Sequence, residues 1–543
     1  MLYREISRVL GRYFLYLAAI LLVPLIVAFL YEFVIEKKIY FETPASFAFL
    51  ESIGICLFGS LLFRFFGKKG VGRLYRKESI LLVGLIWFLT AAVGSLPFIF
   101  TKTLENPIDA YFESMSGLTT TGATIIHPKS YAHGAEIAIQ ASNPLDPAIQ
   151  YKFYGTVPPL RDPSTGAVLK VGIEALGKPL LFWRSFLQWL GGMGIVLLFI
   201  AVLPALSMGG KFLYESEMTG PSKEGMTPRI KETASLLWKI YLVLTCAQIG
   251  LLIFTNPHMS FFDATTLSFG TISTGGFTVR NDGLESYHLF HTEWIIVLFM
   301  LAGSLNFTLY FHMLRGKVYR LFDPEFLYYI GSLILSTALM SWGLWGTPKF
   351  GTGGLFSFGE ALGFGSFQAI SAQTSTGFSV ANYDLWPFSC QLLMIILMFI
   401  GGMSGSTTGG VKIIRYAILF RLVKNKIESL FRPEAVRCLK IGEKEISDRI
   451  GITVLIFFCI VILMTMLGTY LLVLDNLDPV TAMGTIACMF NNTGLSIGGI
   501  GSSGSFAFLS SFSKIVSILA MAFGRLEYFS LLVLFVPAFW RNK

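Results

Sequence analysis

The sequence predicts an all-α membrane protein of about ten transmembrane helices: four pseudo-symmetric helix–pore loop–helix repeats around one pore, plus two extra N-terminal helices. Three observations carry that expectation. The composition is 54% hydrophobic and only 14% charged, far more apolar than a soluble core requires. Apolar runs long enough to cross a bilayer recur along all 543 residues. Four of the connections between those runs also share a short polar signature ending in Thr-Gly.

In chain order the runs read at about 13–34, 45–66, 79–101, 181–206, 233–255, 292–314, 325–346, 388–420, 449–474 and 512–538, which makes ten crossings. The first is too long for a signal-peptide core and lacks a small-residue cleavage site, so it reads as a retained span. Basic residues cluster after the second run (Arg64, Lys68, Lys69, Arg73, Arg76, Lys77) and again at Lys211 to Lys231, Arg315 to Arg320 and Lys412 to Arg449. All of these share one side with Arg4, Arg8 and Arg12 if the N-terminus is cytoplasmic, which puts both termini inside. The net charge of +9 is therefore a mark of topology. A lipid bilayer is the implied partner, and no nucleic acid is. The six cysteines show no CxxC spacing and indicate neither a disulfide framework nor a zinc site.

The connections on the other side hold the informative segments. Aligned on glycine they read FESMSGLTTTGA at 112–123, TTLSFGTISTGG at 265–276, FQAISAQTSTGF at 367–378 and MGTIACMFNNTGL at 483–495. The triplets are Thr120-Thr121-Gly122, Ser273-Thr274-Gly275, Ser375-Thr376-Gly377 and Asn492-Thr493-Gly494, each lying between one run and the next. A repeat of span, short helix, loop and span marks the architecture before any single residue does. The chain thus divides into an N-terminal helix pair (1–67), repeat 1 (79–207) with an external insertion at 124–179, repeat 2 (232–316), repeat 3 (325–425) and repeat 4 (447–539). Two crossings per unit give successive units the same orientation, which permits a ring about the membrane normal.

Irregular backbone at membrane depth is tolerated only where protein or a water-filled cavity satisfies its polar groups, so four such loops most economically line one cavity. Carbonyl, Thr and Ser oxygens suit a small monovalent cation shedding its water. Glycine allows the turn into the loop, and each short helix would aim its partly negative C-terminal end at the centre. Taken singly, a Ser-Thr-Gly is equally good turn chemistry. Four matched copies favour the pore.

With these loops, and with WRSFLQWLGGMGIVLLFIAVLP at 183–204, GPSKEGMTPRIKETASLLWKIY at 220–241, GGMSGSTTGGVKIIR at 401–415 and MAFGRLEYFS at 521–530, the chain resembles the Trk/Ktr/HKT superfamily of potassium transporters, and most of all its bacterial Trk-type membrane subunits. The resemblance implies that Gly122, Gly275, Gly377 and Gly494 sit in a selectivity filter with Thr121, Thr274, Thr376 and Thr493 beside them, and with Thr120, Ser273, Ser375 and Asn492 completing the potassium sites. Glycine at all four places resembles the potassium-selective pattern; a sodium-permeable protein or a symporter of the same fold is the alternative. The fourth loop continues as LSIGGIGSSGSF, a departure from the family's usual Pro- and Gly-rich continuation.

Clustered Gly with Ser and Thr disfavours regular helix within the 388–420 run. The resemblance makes Gly401, Gly402, Gly405, Ser406, Thr407, Thr408, Gly409 and Gly410 an intramembrane gating loop; a packing kink is the plainer reading. Gly410-Val411-Lys412 lacks the ending of a phosphate-binding P-loop. Arg525 lies inside the last apolar run, where an unpaired charge is costly, so it should face the pore or a partner. The resemblance links it to gating; pairing with Glu527 is the alternative. The resemblance further implies a homodimer in the bacterial inner membrane, bound by a cytoplasmic nucleotide-binding (RCK/KTN-type) regulatory subunit, with K+ as the transported ligand and no cofactor in this chain. Lys412 to Arg449 offers a docking surface, which positive-inside bias explains nearly as well. Channel-like flow and coupled symport both remain open.

Glu113, Asp263, Glu360 and Asp478 lie near the four short helices, where they would attract cations to the mouth or cap helix starts. His288 and His291, near Asp282 and Glu285, read as a solvated loop before a metal site. The sequence contains no HExxH and no paired Cys/His set, which speaks against an enzyme.

Overall fold

The structure is a computed structural model that describes residues 3–36, 43–68, 74–132, 135–143, 148–162, 165–194, 230–287, 289–317, 319, 322–349, 354–432, 439–442, 444–501 and 504–541. The end of the 181–206 run, most of the basic group Lys211 to Lys231, His288 and Cys438 lie outside the described residues.

Among the described residues, six helices are each long and apolar enough to cross a bilayer. They are α1 (Tyr3–Phe29, prolonged by a wider turn at Leu30–Ile35), α2 (Ala45–Phe66), α3 (Arg76–Phe100), α6 (Ile230–Thr255), α10 (Pro324–Leu344) and α14 (Asp448–Leu474). At 1.5 Å rise per residue, about 20 residues match a hydrocarbon core of about 30 Å. The other four predicted crossings are shorter or broken. Helices α8 (Phe290–Ser304) and α9 (Phe307–Leu314) meet at 94°, where Asn306 caps α9 through the Thr308 amide; α16 (Ser511–Arg525) and the chain at Phe529–Phe535, which opens with α17 (Phe529–Leu532), meet at 113°. Helix α5 (Gly177–Gly192) is described only up to Gly194, and α12 (Phe388–Phe399) is separated from α13 (Ile413–Phe431) by a loop.

Between the paired helices of each repeat lies a short, largely buried helix: α4 (Pro107–Leu118), α7 (Phe261–Ile272), α11 (Phe358–Gln373) and α15 (Pro479–Asn491). Their starts are written into the sequence. Asn106, Ser260, Ser357 and Asp478 each accept a backbone N–H in the first turn, Pro107 and Pro479 occupy the first helical position, and Ser357 forms a capping box with Glu360.

The N-terminal pair packs on itself and on repeat 1. Ser60 Oγ donates to the Gly11 carbonyl at 2.6 Å, and Tyr13 and Thr90 share a 2.5 Å hydrogen bond. Apolar side chains on the outside, such as Ile462, Leu463, Met466 and Leu467 of α14, are exposed as lipid-facing surface should be. Among the described residues, the insertion at 124–179 adds three small antiparallel hairpins: β1 (Ser130–Ala132) with β2 (Ala135–Ile137), β3 (Ile139–Ser142) with β4 (Gln150–Phe153), and β5 (Leu160–Arg161) with β6 (Val168–Lys170). A fourth, β7 (Leu439–Ile441) with β8 (Lys444–Ile446), precedes α14. Cys56, Cys246, Cys390, Cys459 and Cys488 are free thiols.

Candidate functional site

The four hairpins after the short helices repeat one backbone geometry. Thr120, Thr274, Ser375 and Asn492 adopt φ of 56°, 52°, 53° and 50°, and two residues later Gly122, Gly276, Gly377 and Gly494 adopt 79°, 75°, 85° and 72°. Between them, the amides of Thr121, Gly275, Thr376 and Thr493 return to the Ser116, Gly270, Ser371 and Cys488 carbonyls at 2.9, 2.8, 3.0 and 3.1 Å. Left-handed backbone is uncommon for residues other than glycine, and such strain clusters where a fold over-determines it.

This geometry corrects the second repeat by one residue. The structural counterpart of Thr120-Thr121-Gly122 is Thr274-Gly275-Gly276, whereas alignment on the letters Thr-Gly gives Ser273-Thr274-Gly275. Two glycines follow Thr274, and of these the second takes the left-handed φ. Ser273 instead ends α7 in an ordinary right-handed conformation, as Thr119 ends α4.

The hairpins close into a ring. A methyl group placed on Gly122 would run into the Gly275 carbonyl, one on Gly276 into that of Thr376, and one on Gly377 into that of Thr493; one on Gly494 would lie 2.7 Å from the carbonyl oxygen of Thr121. Each unit thus leans on the next, and the fourth returns to the first. Thr120, Thr121, Ser273, Thr274, Ser375, Thr376, Asn492 and Thr493 are all fully buried.

Against this ring sits the loop between α12 and α13. Its neck is closed by Gly401 N to Val411 O at 2.9 Å and Val411 N to Phe399 O at 3.1 Å. Thr407 Oγ1 donates to the Gly303 and Ile272 carbonyls at 3.0 and 3.2 Å and accepts from Thr274 Oγ1 at 3.2 Å; Gly409 N donates to Ser375 Oγ at 2.6 Å. A methyl on Gly409 would meet the Asn491 carbonyl, and one on Gly402 would lie 2.8 Å from that of Ser304. Within the loop, Thr408 Oγ1 takes the Gly402 amide at 3.1 Å and pairs with Ser406 Oγ at 2.8 Å, while Gly405 and Gly410 turn the chain at φ of 72° and 67°. Lys412, buried, donates to Thr408 O and, at 3.0 Å, to Thr408 Oγ1.

Arg525 completes the assembly. Its Nη1 donates to Thr407 O at 2.7 Å and Thr120 Oγ1 at 3.1 Å, and its Nη2 to Gly191 O and Gly192 O at 2.6 and 2.7 Å. Arg525 thus contacts both the ring and the loop. Glu527 accepts from Arg415 at 2.5 Å.

A sequence profile of the TrkH family, described as a cation transport protein, matches residues 162–342 and 355–542. The chain belongs to the TrkH family. Its relatives include the Trk system potassium uptake protein TrkH of Escherichia coli K12, 33% identical over 545 residues that cover 99% of this chain and all of that one. A second is TrkH of Halomonas elongata, 33% identical over 504 residues, 91% of this chain and 92% of that one. The crystal structure of the potassium transporter TrkH from Vibrio parahaemolyticus superposes with a TM-score of 0.78 at 31% identity, over the full length of both chains.

In this TrkH family member, the ring is held by residues that sequence reading did not single out as a group. Glu113 and Arg184, 0% and 2% exposed, form an ion pair at 2.5 Å; Glu113 also takes the Ile125 amide at 2.9 Å, and Arg184 donates to Thr278 O at 2.8 Å. Gln188 grips the second hairpin through Gly275 O at 2.6 Å and Phe277 N at 3.1 Å. Ser116 and Ser371 donate to the Ala123 and Phe378 carbonyls, both at 2.6 Å. The available signal was Arg184, a charge within an apolar run that has to find a partner.

The acidic residues near the hairpins are engaged. Asp263 pairs with Arg280 at 3.1 Å and Glu360 with Lys349 at 2.6 Å, while Asp478 caps α15. Hydrogen bonds from Lys349 and then Ser357 hold the Glu360 carboxyl down at about 2. Among the described residues, which include His291 but not His288, no group of three His, Cys, Asp or Glu is placed to hold a metal.

Proposed function

We propose that this protein carries potassium into the cell across the bacterial inner membrane, with the four-hairpin ring as its selectivity filter. The single observation that carries the reading is the closed ring of glycine hairpins, in which each backbone approaches the next unit's carbonyl. Rings of backbone and hydroxyl oxygens replace a cation's hydration shell without placing fixed charge in lipid. The potassium uptake named for its relatives supplies the cation. Thr120, Thr121, Gly122, Thr274, Gly275, Gly276, Ser375, Thr376, Gly377, Asn492, Thr493 and Gly494 would line it, with Ser273 just behind.

The loop from Gly401 to Gly410, with Arg525, is the barrier below that filter. Its contacts to Thr274, Ser375 and Thr120 support this placement. Both termini are cytoplasmic, the protein works as a homodimer, and an RCK/KTN-type nucleotide-binding subunit docks on the cytoplasmic side and biases the loop.

The test is cation flux in proteoliposomes, comparing potassium, rubidium, sodium and lithium with and without Gly377→Ser. Potassium and rubidium pass best, and the substitution weakens discrimination against sodium. Equal sodium passage by the unsubstituted protein rejects the proposal.

A further inference from the structure

The external insertion and the unusual continuation of the fourth hairpin meet over the same corner of the ring. That corner is held differently from the others, with Asn492 Nδ2 donating to Thr121 Oγ1 at 2.9 Å and to Met521 O at 3.0 Å. The first and third hairpins are tied by Ser116 and Ser371, and by hydroxyl pairs Thr119–Thr121 and Thr374–Thr376 at 2.8 Å, while Gln188 ties the second. In the fourth, the place of Ser116 is taken by Cys488, whose thiol is a weak donor. The place of Thr119 is taken by Asn491, whose amide donates to its own helix at Ala487 O, at 2.8 Å.

Further support arrives beyond the hairpin. Gly499 N donates to Thr481 Oγ1 at 2.7 Å, Tyr383 Oη to the Ser496 and Gly501 carbonyls at 2.9 and 3.2 Å, and Phe506 N to Thr124 O at 2.9 Å. The β3–β4 hairpin lies across this seam. From β4 the Tyr151 hydroxyl donates to Asp478, the cap of α15, and reaches Thr481 Oγ1 at 3.4 Å. The Tyr151 ring packs so closely on Gly499 that a methyl there would strike it, and it lies 4.6 Å from the ring of Phe508. Asn143, just after β3, adds a 3.4 Å hydrogen bond to Asp478.

We infer that Tyr151 is a positioning residue for the fourth strand of the filter: by clamping Asp478 and Gly499 from outside, it fixes the segment after Gly494 and with it the Thr493 carbonyl that faces Gly377. The inference rests on the filter reading above. It assigns the insertion a part in ion discrimination, exerted through the backbone and not through contact with the ion.

Tyr151→Ala and Tyr151→Phe are compared with the unsubstituted protein by sodium and rubidium flux in proteoliposomes. The alanine variant raises the sodium-to-rubidium ratio by about 2- to 10-fold, the range one hydrogen bond supports, at an unchanged maximal rubidium rate. The phenylalanine variant, which keeps the ring over Gly499, shifts the ratio less in the same direction and decides the matter if the alanine variant fails to fold. An unchanged ratio in a folded variant, or a fall in rubidium rate with the ratio intact, overturns the inference while leaving the filter standing. Absence of rubidium preference in the unsubstituted protein overturns both.

Discussion

One guanidinium nitrogen of Arg525 bonds both the Thr407 carbonyl, at 2.7 Å, and the Thr120 hydroxyl, at 3.1 Å, so a single cation joins the intramembrane loop to the first hairpin. On the proposed function, fixed positive charge there repels a permeating cation, and the two bonds tie the loop to the ring. Arg525→Ala should raise rubidium flux in proteoliposomes by about tenfold, equivalent to roughly 1.4 kcal/mol of barrier. Unchanged or lower flux in a folded, inserted variant argues against a barrier at this place.

The register of the second hairpin can be tested with two neighbouring glycines. A methyl on Gly276 meets the Thr376 backbone and also suffers φ of 75°, while one on Gly275 meets the side chain of Gln188 and no backbone, at a φ outside the left-handed region. Gly276→Ala should therefore abolish discrimination between rubidium and sodium. Gly275→Ala should impair it less. The reverse order of severity would restore the Ser273-Thr274-Gly275 alignment.

Removing one partner of the Glu113–Arg184 pair leaves a buried charge uncompensated. Such losses run to about 3–5 kcal/mol. Glu113→Gln should lower the thermal unfolding temperature in detergent, and adding Arg184→Met should recover part of the loss. Equal stability of Glu113→Gln and unsubstituted protein would show that Arg184 finds a second anion.

Glu360 gives a pH signature. Its folded carboxyl sits at about 2, below the ordinary 4.5, so its cap on α11 and its pairing with Lys349 contribute at neutral pH and are lost as the pH falls from about 4.5 through 2. The unfolding temperatures of Glu360→Gln and unsubstituted protein should differ at pH 7, converge toward pH 2, and differ less in high salt, because the pair is exposed. A gap that persists at pH 2 would assign the effect to packing.

Straight spans were legible because hydropathy and length act together. The 45–66 run coincides with α2, and 449–474 with α14 to within one residue. The interrupted 388–420 run was legible too, since Gly401, Gly402 and Gly405 break any helix. The sharp bends elsewhere were not. The turn after α16 depends on left-handed φ at Glu527 and Tyr528, residue types that give no local warning. The α8–α9 bend turns on Asn306, which reads equally well as a polar residue within a span. The slip in the second hairpin arose because Gly275 and Gly276 are interchangeable as letters and differ only in backbone angle. The Glu113–Arg184 tie joins distant segments, so no local pattern announces it.

Because a single polypeptide supplies every quadrant of the ring, a substitution is felt once. In an assembly of four identical chains the same change would be felt four times over. Each quadrant is therefore free to diverge, as Asn492 stands where the others have Thr or Ser, and as Gly275 stands where they have Thr. Mutational damage to permeation should accordingly accumulate in steps, quadrant by quadrant, giving intermediate phenotypes that a symmetric tetramer does not offer.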